Sequence, residues 1–221
     1  MKKKRVFGTG GELLVHQLVA QGVKYAFTNT GSAEAGFFNA LLTVPGVQPI
    51  LLLAESLVLS AADGYAKASR EPAFVNVHLA AGTRQGSGQL QNAYFDGTPM
   101  VVTAAMRDSG SFGDHNTLGS SGGFSQMGAV EDITKRRWEV WDARGIPTVT
   151  RRAFKDAMTF PTGPVYEQPE LPDRAHELRH VRRRDGQAAE VSRGVPRRSG
   201  DRLRDAGEVA GHRGVPGDRA E

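Results

Sequence analysis

The sequence predicts an α/β protein in which helices flank a parallel β-sheet. The main observation is that apolar, strand-like runs alternate with helix-like segments from about residue 11 to residue 168. In addition, polar and glycine-rich stretches fall where predicted strands give way to helices. The chain has 221 residues, which suits one domain, or one domain with a tail, and allows a sizeable core.

Helices and strands alternate regularly in the first part of the chain. Apolar positions from Leu13 to Val19 indicate an amphipathic helix that ends near Gly22. The predicted segments that follow are a strand over 23–30, a helix over 32–42, a buried strand over 47–54, a helix over 56–69 and a strand over 73–79.

The second part begins with a glycine-rich turn over 82–88. The predicted elements after this turn are a helix over 88–97, a strand over 99–106, helical segments over 130–142 and 146–160, and a short strand over 163–168. Residues 108–128 form a long polar, Gly/Ser-rich stretch, and loops of that length in compact domains usually have a function.

Composition divides the chain into three regions: a basic extension over 1–10, a domain over 11–168, and an Arg/Gly-rich tail over 169–221. Residues 172–221 contain no aromatic residue and few large aliphatic ones, so we expect the tail to be disordered. An alternative explanation is that a GC-rich gene is read out of frame beyond about Tyr166. Residues 172–221 hold 12 Arg and no Lys against 9 acids and so carry +3 of the net charge of +4, but their mixed charges are not a nucleic-acid footprint.

Several classes of protein are excluded by composition. Cysteine is absent, which excludes disulfides and cysteine-based zinc sites. The apolar runs are far shorter than the ~20 residues that span a bilayer. The basic N-terminus is followed by glycines instead of a signal-peptide apolar stretch. We therefore expect a cytoplasmic protein that binds neither membranes nor nucleic acids.

The order of the segments resembles a known family. The stretches "GELLVHQLVAQGVKYAFTNTGS", "ILLLAESLVLSAADGYAKAS", "AFVNVHLAAGT", "NAYFDGTPMVVTA" and "PTGPVY" are similar to the N-terminal, pyrimidine-binding domain of thiamine-diphosphate-dependent enzymes. The resemblance runs from about Gly11 to Tyr166 and is greatest to the group of acetolactate synthase, benzoylformate decarboxylase and pyruvate decarboxylase. It implies a decarboxylase (lyase) or carboligase (transferase) that uses thiamine diphosphate.

The resemblance explains an acid in an apolar setting. Glu55 follows a run of leucines and, alone, can be read as a helix N-terminal residue that favours the helix dipole. In the family, the glutamate at this position hydrogen-bonds the aminopyrimidine ring of the cofactor and promotes removal of the thiazolium proton. The resemblance therefore implies that Glu55 is both catalytic and cofactor-binding.

Other site residues follow from the same resemblance. His78 resembles a histidine that acts in proton transfer or substrate orientation, although a histidine at a strand end needs no such role. Ser32 matches a contact to the substrate carboxylate, with helix N-capping as the alternative. His115, in "FGDHNTLG", matches the first of two histidines in pyruvate decarboxylases, and Asn116 replaces the second.

The resemblance also implies that Thr30, Gly31, Gly82 and Thr83 line the cofactor. Two positions depart from the family pattern. Thr30 replaces a usual proline, and the segment 84–86 has Arg-Gln-Gly where relatives commonly have Gly-Asn-Ala.

The family's metal motif is missing. Relatives hold Mg2+ and the diphosphate through a Gly-Asp-Gly motif in a separate pyrophosphate-binding domain, and this chain contains no Gly-Asp-Gly. We therefore expect no metal ligand here, and expect Mg2+ to be held by a missing domain or a partner chain. The implied partners are a second copy of the chain or a separate pyrophosphate-binding subunit, with a small 2-oxo acid as substrate. The alternative is a truncated, non-catalytic fragment.

Two further motifs suggest other functions. His176-Glu177-x-x-His180 satisfies the H-E-x-x-H pattern of zinc hydrolases, but no apolar helix surrounds it and no third ligand is evident. "GTGGEL" over 8–13 is a partial dinucleotide fingerprint with no preceding strand, so we reject a Rossmann site.

Overall fold

A six-stranded, all-parallel sheet forms the centre of the protein, which confirms the predicted fold class. The computed structural model describes residues 4–29, 31–106, 125–171 and 188–191. The strands are β1 Lys4–Phe7, β2 Tyr25–Thr28, β3 Gln48–Leu51, β4 Ala73–Val77, β5 Met100–Ala104, β6 Arg137–Val140, β7 Pro164–Pro169 and β8 Ala188–Val191. The helices are α1 Gly10–Gln21, α2 Ala35–Thr43, α3 Glu55–Ser69, α4 Leu79–Phe95 and α5 Ile146–Met158.

Helices cover both faces of the sheet, whose strand order is β3-β2-β4-β5-β7-β6. On one face α1, α2 and α5 pack on a row of sheet residues that includes Phe74 and Val101. On the other face α3 and α4 pack on the alternate residues, including Val75 and Val102. A strand buried on both faces reads as a continuous apolar run, which is why the central strands were readable from the sequence.

Helix α1 shows how local chemistry sets an element boundary. The Thr9 hydroxyl accepts a hydrogen bond from the Glu12 backbone N–H at 3.2 Å, and the Glu12 carboxylate accepts from the Thr9 N–H at 2.8 Å. This capping box satisfies two backbone donors that a helix start leaves free. The helix ends at Gly22, whose φ of 82° favours glycine, and the predicted end near this residue is confirmed.

The sheet contains a switch point at the carboxyl end of β2. The helix after β2 packs on one face, whereas the helices after the neighbouring strands β3 and β4 pack on the other. Chains that leave adjacent strands in opposite directions open a crevice at the strand ends, and ligands bind there in open α/β sheets. Glu55 and His78, which follow β3 and β4, therefore flank the chain that leaves β2.

Two local predictions were wrong. The predicted glycine-rich turn over 82–88 is helical, because its glycines allow α4 to approach α3 closely instead of breaking the helix. The segment 130–142 is a 3-10 turn over Gly128–Ile133 followed by strand β6, not a helix. The aromatic and β-branched side chains of Trp138 and Val140 favour a strand, and pairing with β7 outweighs the helix-like charge pattern.

A small second sheet joins the two ends of the described chain. β1 pairs with β8 in antiparallel register, with Lys4 opposite Val191 and Phe7 opposite Ala188. β8 falls in the region predicted as a tail, and the predicted boundaries at 10 and 168 stay predictions. Among the described residues, none of the helices combines the length and apolarity needed to cross a bilayer.

The carboxyl of Glu167 is buried between strand β7 and helix α5. Its side chain is fully buried and accepts hydrogen bonds from the Thr150 hydroxyl at 2.9 and 3.0 Å. Burial raises the pKa of Glu167 to about 8, because the charged form is poorly solvated there. The folded protein therefore keeps a proton that the unfolded chain releases near pH 4.5.

We expect Glu167→Gln to gain stability relative to the wild type as pH rises. Between pH 4.5 and about 8 the unfolded wild-type chain binds fewer protons than the folded one, so its stability falls with rising pH. A single group contributes at most about 1.4 kcal/mol per pH unit to this slope. Urea unfolding of both proteins at pH 5, 6.5 and 8 measures the difference, with the exposed Glu139→Gln as the control. Equal slopes in all three proteins would show that Glu167 is not buried as a neutral acid.

Candidate functional site

Glu55 begins helix α3 at the carboxyl edge of the sheet. Its side chain is only 5% exposed. Its Oε2 atom is buried and has no hydrogen-bond partner within the described part of the chain. Native proteins pair nearly all buried polar atoms, and an unpaired one costs about 1–3 kcal/mol. An unpaired buried carboxylate oxygen at a switch point therefore suggests a position for a ligand donor.

Two glycines of α4 position α3 and its glutamate. A Cβ built at Gly82 would lie 2.6 Å from Glu55 Oε1, and one at Gly86 would lie 2.3 Å from Leu59 Cδ1. Residues 82 and 86 are one helical turn apart, so they form a flat strip along which α3 packs. The absence of a side chain at Gly82 leaves room for the Glu55 carboxylate beside the first turn of α4.

A second carboxylate joins the chains that leave β2 and β4. Glu34 is fully buried, and its Oε2 lies 2.7 Å from His78 Nδ1. Glu34 also accepts hydrogen bonds from the backbone N–H groups of Gly31 and Leu79, both at 3.2 Å. The pKa of His78 is raised, mainly by the hydrogen bond to Glu34 and to a smaller extent by the nearby charge of Glu55. The histidine therefore favours its protonated form beside this carboxylate.

The backbone between His78 and α4 is strained. Leu79 has φ of 45°, a left-handed conformation that is an outlier for a bulky residue. The Leu79 N–H donates to Glu34 Oε1, and the Leu79 carbonyl accepts from the Thr83 hydroxyl at 2.8 Å. Strain of this kind costs about 1–3 kcal/mol and persists where the surroundings fix the conformation, typically at functional sites.

A buried hydrogen-bond chain supports this turn from behind. Thr83 Oγ1 and the Tyr166 hydroxyl lie 2.7 Å apart, and the Gln126 side-chain amide donates to the same hydroxyl at 2.7 Å. Gln168 donates in turn to the Gln126 carbonyl oxygen at 3.2 Å. Burial raises the pKa of Tyr166, which stays a neutral donor. The chain links β7 to the first turn of α4, next to Gly82.

The structure brings together some of the predicted site residues. Glu55, His78, Gly31 and Gly82 all lie at the carboxyl edges of β2, β3 and β4. Ser32 is exposed at the start of a 3-10 turn, and Gly31 is the capping residue there.

The remaining predicted residues are not placed in this group. Thr83 is 3% exposed, and its hydroxyl is part of the hydrogen-bond chain within the protein. Thr30, His115 and the H-E-x-x-H motif lie outside the described residues. Among the residues that are described, no three His, Asp or Glu side chains lie close enough to hold a metal ion.

Sequence reasoning missed Glu34 and gave no role to Tyr166 and Gln126. Glu34 lies three residues after Gly31, at the spacing of the acidic member of a capping box, and its carboxylate does accept from the Gly31 N–H. That local signal predicts a helix start but not the contact to His78, which is 44 residues away. Tyr166 and Gln126 meet only in the folded sheet, so no local pattern reveals them.

A family model described as "Thiamine pyrophosphate enzyme, N-terminal TPP binding domain" matches residues 8–129. The chain is 34% identical over 146 residues to benzoylformate decarboxylase of Pseudomonas aeruginosa, covering 66% of this chain and 26% of that protein. It is 30% identical over 160 residues to the acetolactate synthase large subunit of Haemophilus influenzae, covering 71% of this chain and 27% of that protein.

A solved structure shows the same likeness. The Rhodococcus jostii RHA1 thiamine diphosphate-dependent 4-hydroxybenzoylformate decarboxylase matches with a TM-score of 0.68 and 28% identity. The match covers 77% of this chain and 33% of that protein. The chain thus spans between a quarter and a third of the length of these relatives.

We expect Gly82→Ala to displace the Glu55 carboxylate and to destabilise the fold, while Gly88→Ala does not. The added methyl at position 82 meets Glu55 Oε1 at 2.6 Å, and overpacking of this kind costs about 1–3 kcal/mol. Gly88 lies on the same helix with nothing within 4 Å, so alanine there gains up to about 1 kcal/mol of helix propensity. Urea unfolding measures both changes, and equal effects would contradict the close contact at Gly82.

Proposed function

The chain belongs to the thiamine pyrophosphate enzyme family as an N-terminal TPP-binding domain, and from this premise we propose that it binds the pyrimidine half of thiamine diphosphate in a 2-oxo-acid decarboxylase or carboligase. The observation that carries the proposal is the buried Oε2 of Glu55 at the switch point, which has no hydrogen-bond partner among the residues that the structure describes. The cofactor supplies the carbon nucleophile and electron sink of such reactions, and the protein supplies binding, orientation and charge.

The residues at this edge fit an aminopyrimidine ring. Glu55 offers a buried acceptor oxygen that can share a proton with a ring nitrogen. Gly82 has no side chain, and a Cβ at this position would collide with the Glu55 carboxylate. At this position α4 therefore does not obstruct a flat ring that approaches Glu55. A donor from the ring would also pair Glu55 Oε2, which has no hydrogen-bond partner among the described residues, and this would recover part of the desolvation cost of that oxygen.

The substrate side of the proposal rests on His78 and Ser32. His78 is partly accessible, with 17% of its side chain exposed, and its raised pKa favours a positive charge. Ser32 is exposed and lies one residue from Gly31, whose built Cβ would be 2.2 Å from His78 Nδ1. A cation and a hydroxyl at one edge suit the carboxylate of a small 2-oxo acid.

We propose that the other half of the site comes from a pyrophosphate-binding domain on another chain. The sequence lacks the Gly-Asp-Gly metal motif, so the Mg2+ and diphosphate contacts are assigned to that domain. Three leucines near Glu55 support a docking surface: Leu51, Leu53 and Leu57 are 63%, 89% and 53% exposed. Exposed apolar groups clustered near a site are typical of interaction surfaces. The partner is either a further copy of a longer chain or a separate subunit.

We expect Glu55→Gln to abolish exchange of the cofactor C2 proton with deuterium. The experiment mixes the chain with a family pyrophosphate-binding domain, thiamine diphosphate and Mg2+, and follows the C2 proton by NMR. The amide keeps the shape of the carboxylate but cannot take up the shared proton, so the exchange rate should fall at least about 100-fold. Circular dichroism of the variant checks that the fold is retained.

The control is Glu71→Gln, which changes an exposed glutamate just beyond α3. It should exchange at the wild-type rate. Unchanged exchange in Glu55→Gln would remove Glu55 from the reaction. No exchange in the wild-type mixture would contradict the proposal that this chain supplies the pyrimidine half, and would favour a non-catalytic fragment.

A further inference from the structure

Glu34 is the most enclosed charged group near the switch point. Its side chain has no exposed surface, and three donors surround its two oxygens. Oε2 faces the Gly31 N–H and His78 Nδ1, and Oε1 faces the Leu79 N–H. A carboxylate that is ionised can only accept hydrogen bonds, and here every contact comes from a group able to donate. The surroundings of Glu34 are therefore those of an anion.

The position of Glu34 fixes which nitrogen of His78 is engaged. Nδ1 lies 2.7 Å from the carboxylate, so the proton of that nitrogen is held between them. Gly31 covers the same side of the ring, since a Cβ at this position would be 2.2 Å from Nδ1. Nε2 makes no hydrogen bond within the described residues, and the side chain is 17% exposed. Only Nε2 is thus available to a ligand.

Glu34 also holds the strained link from His78 to α4. The Leu79 N–H that it accepts belongs to the residue with φ of 45°. One carboxylate therefore binds both the imidazole ring and the adjacent backbone, and it does so from the chain that leaves β2. Because Glu34 holds both the His78 ring and the Leu79 backbone, it sets the orientation of His78.

We propose that Glu34 is the positioning residue of His78: by accepting a hydrogen bond from Nδ1–H it fixes the ring and favours its protonated form, whose Nε2–H is the donor that His78 presents to an anionic ligand. Within the described ranges two acidic side chains act on this ring, Glu34 from the turn before α2 and Glu55 from α3, and of these two Glu34 is hydrogen-bonded to it. The proposal rests on the proposed function for the identity of the ligand, the carboxylate of a 2-oxo acid. The charge and tautomer of the free protein do not depend on that identity.

The separate contributions to the His78 pKa predict the effect of each carboxylate. The hydrogen bond to Glu34 raises the pKa most, burial lowers it, and the charge of Glu55 raises it least. Removing Glu34 leaves burial as the larger remaining influence, so the pKa should fall below the ordinary value of 6.5. Removing Glu55 takes away only the weaker charge effect, so the pKa should stay above it.

The test is a pH titration of the histidine rings in the 15N-labelled full chain, without cofactor. His78→Asn identifies the resonances of His78 among the six histidines. In the wild type we expect a midpoint above 6.5 and, in the neutral form, the proton on Nδ1. Glu34→Gln should lower the midpoint, and Glu55→Gln should lower it by much less.

Three results would overturn the proposal. They are a wild-type midpoint at or below 6.5, a neutral wild-type ring protonated on Nε2, and a fall in Glu55→Gln as large as that in Glu34→Gln. The tautomer is read in the wild type alone, so it decides the matter even if Glu34→Gln does not fold. Because no cofactor is present, failure here is distinct from failure of the C2 exchange experiment, which tests the proposed function.

Discussion

The fixed position of Glu34 is the constraint on which the site depends. Its buried carboxylate bridges the chain that leaves β2 and the chain that leaves β4, which part toward opposite faces of the sheet. Burying a carboxylate is costly unless its oxygens are paired, and here the Gly31 and Leu79 N–H groups and the His78 ring pair them. The same hydrogen bonds hold Leu79 in its strained conformation. The pairing of the Glu34 charge, the strained backbone of Leu79 and the orientation of the His78 ring therefore depend on one another.

The hydrogen bonding of the second carboxylate, Glu55, is the opposite of that of Glu34. Glu55 is nearly as buried as Glu34, but one of its oxygens has no partner among the described residues. The strip of Gly82 and Gly86 brings α4 against α3, and on that side α4 offers the Glu55 carboxylate no side chain from these two positions. One acid is therefore satisfied by the protein and positions a neighbour, whereas the other is left open for a ligand. The exposed leucines near Glu55 suggest that a further surface closes over it.

Much of the architecture was predictable because the central strands are buried on both faces and therefore read as apolar runs. The sequence also placed Glu55 and His78 at strand ends, where parallel topology brings them together. Strand β6 was missed because the helix-like pattern of its charged residues masked the strand preference of Trp138 and Val140, and its pairing with β7 is not visible in the sequence. The role of Glu34 was missed because it arises from a contact between residues that are 44 positions apart. The helical conformation of the glycines was missed because these residues are glycine to let α3 pack closely, which only the folded structure shows.

The central claim is that the cofactor's pyrimidine ring binds beside Glu55 Oε2, the oxygen that has no hydrogen-bond partner among the described residues. The most direct test is a crystal structure of the chain with a family pyrophosphate-binding domain, thiamine diphosphate and Mg2+. The account predicts a hydrogen bond between Glu55 Oε2 and the aminopyrimidine, with Glu34 still bound to His78 Nδ1. A pyrimidine ring bound away from Glu55, or a protein side chain paired with Oε2 in its place, would contradict it.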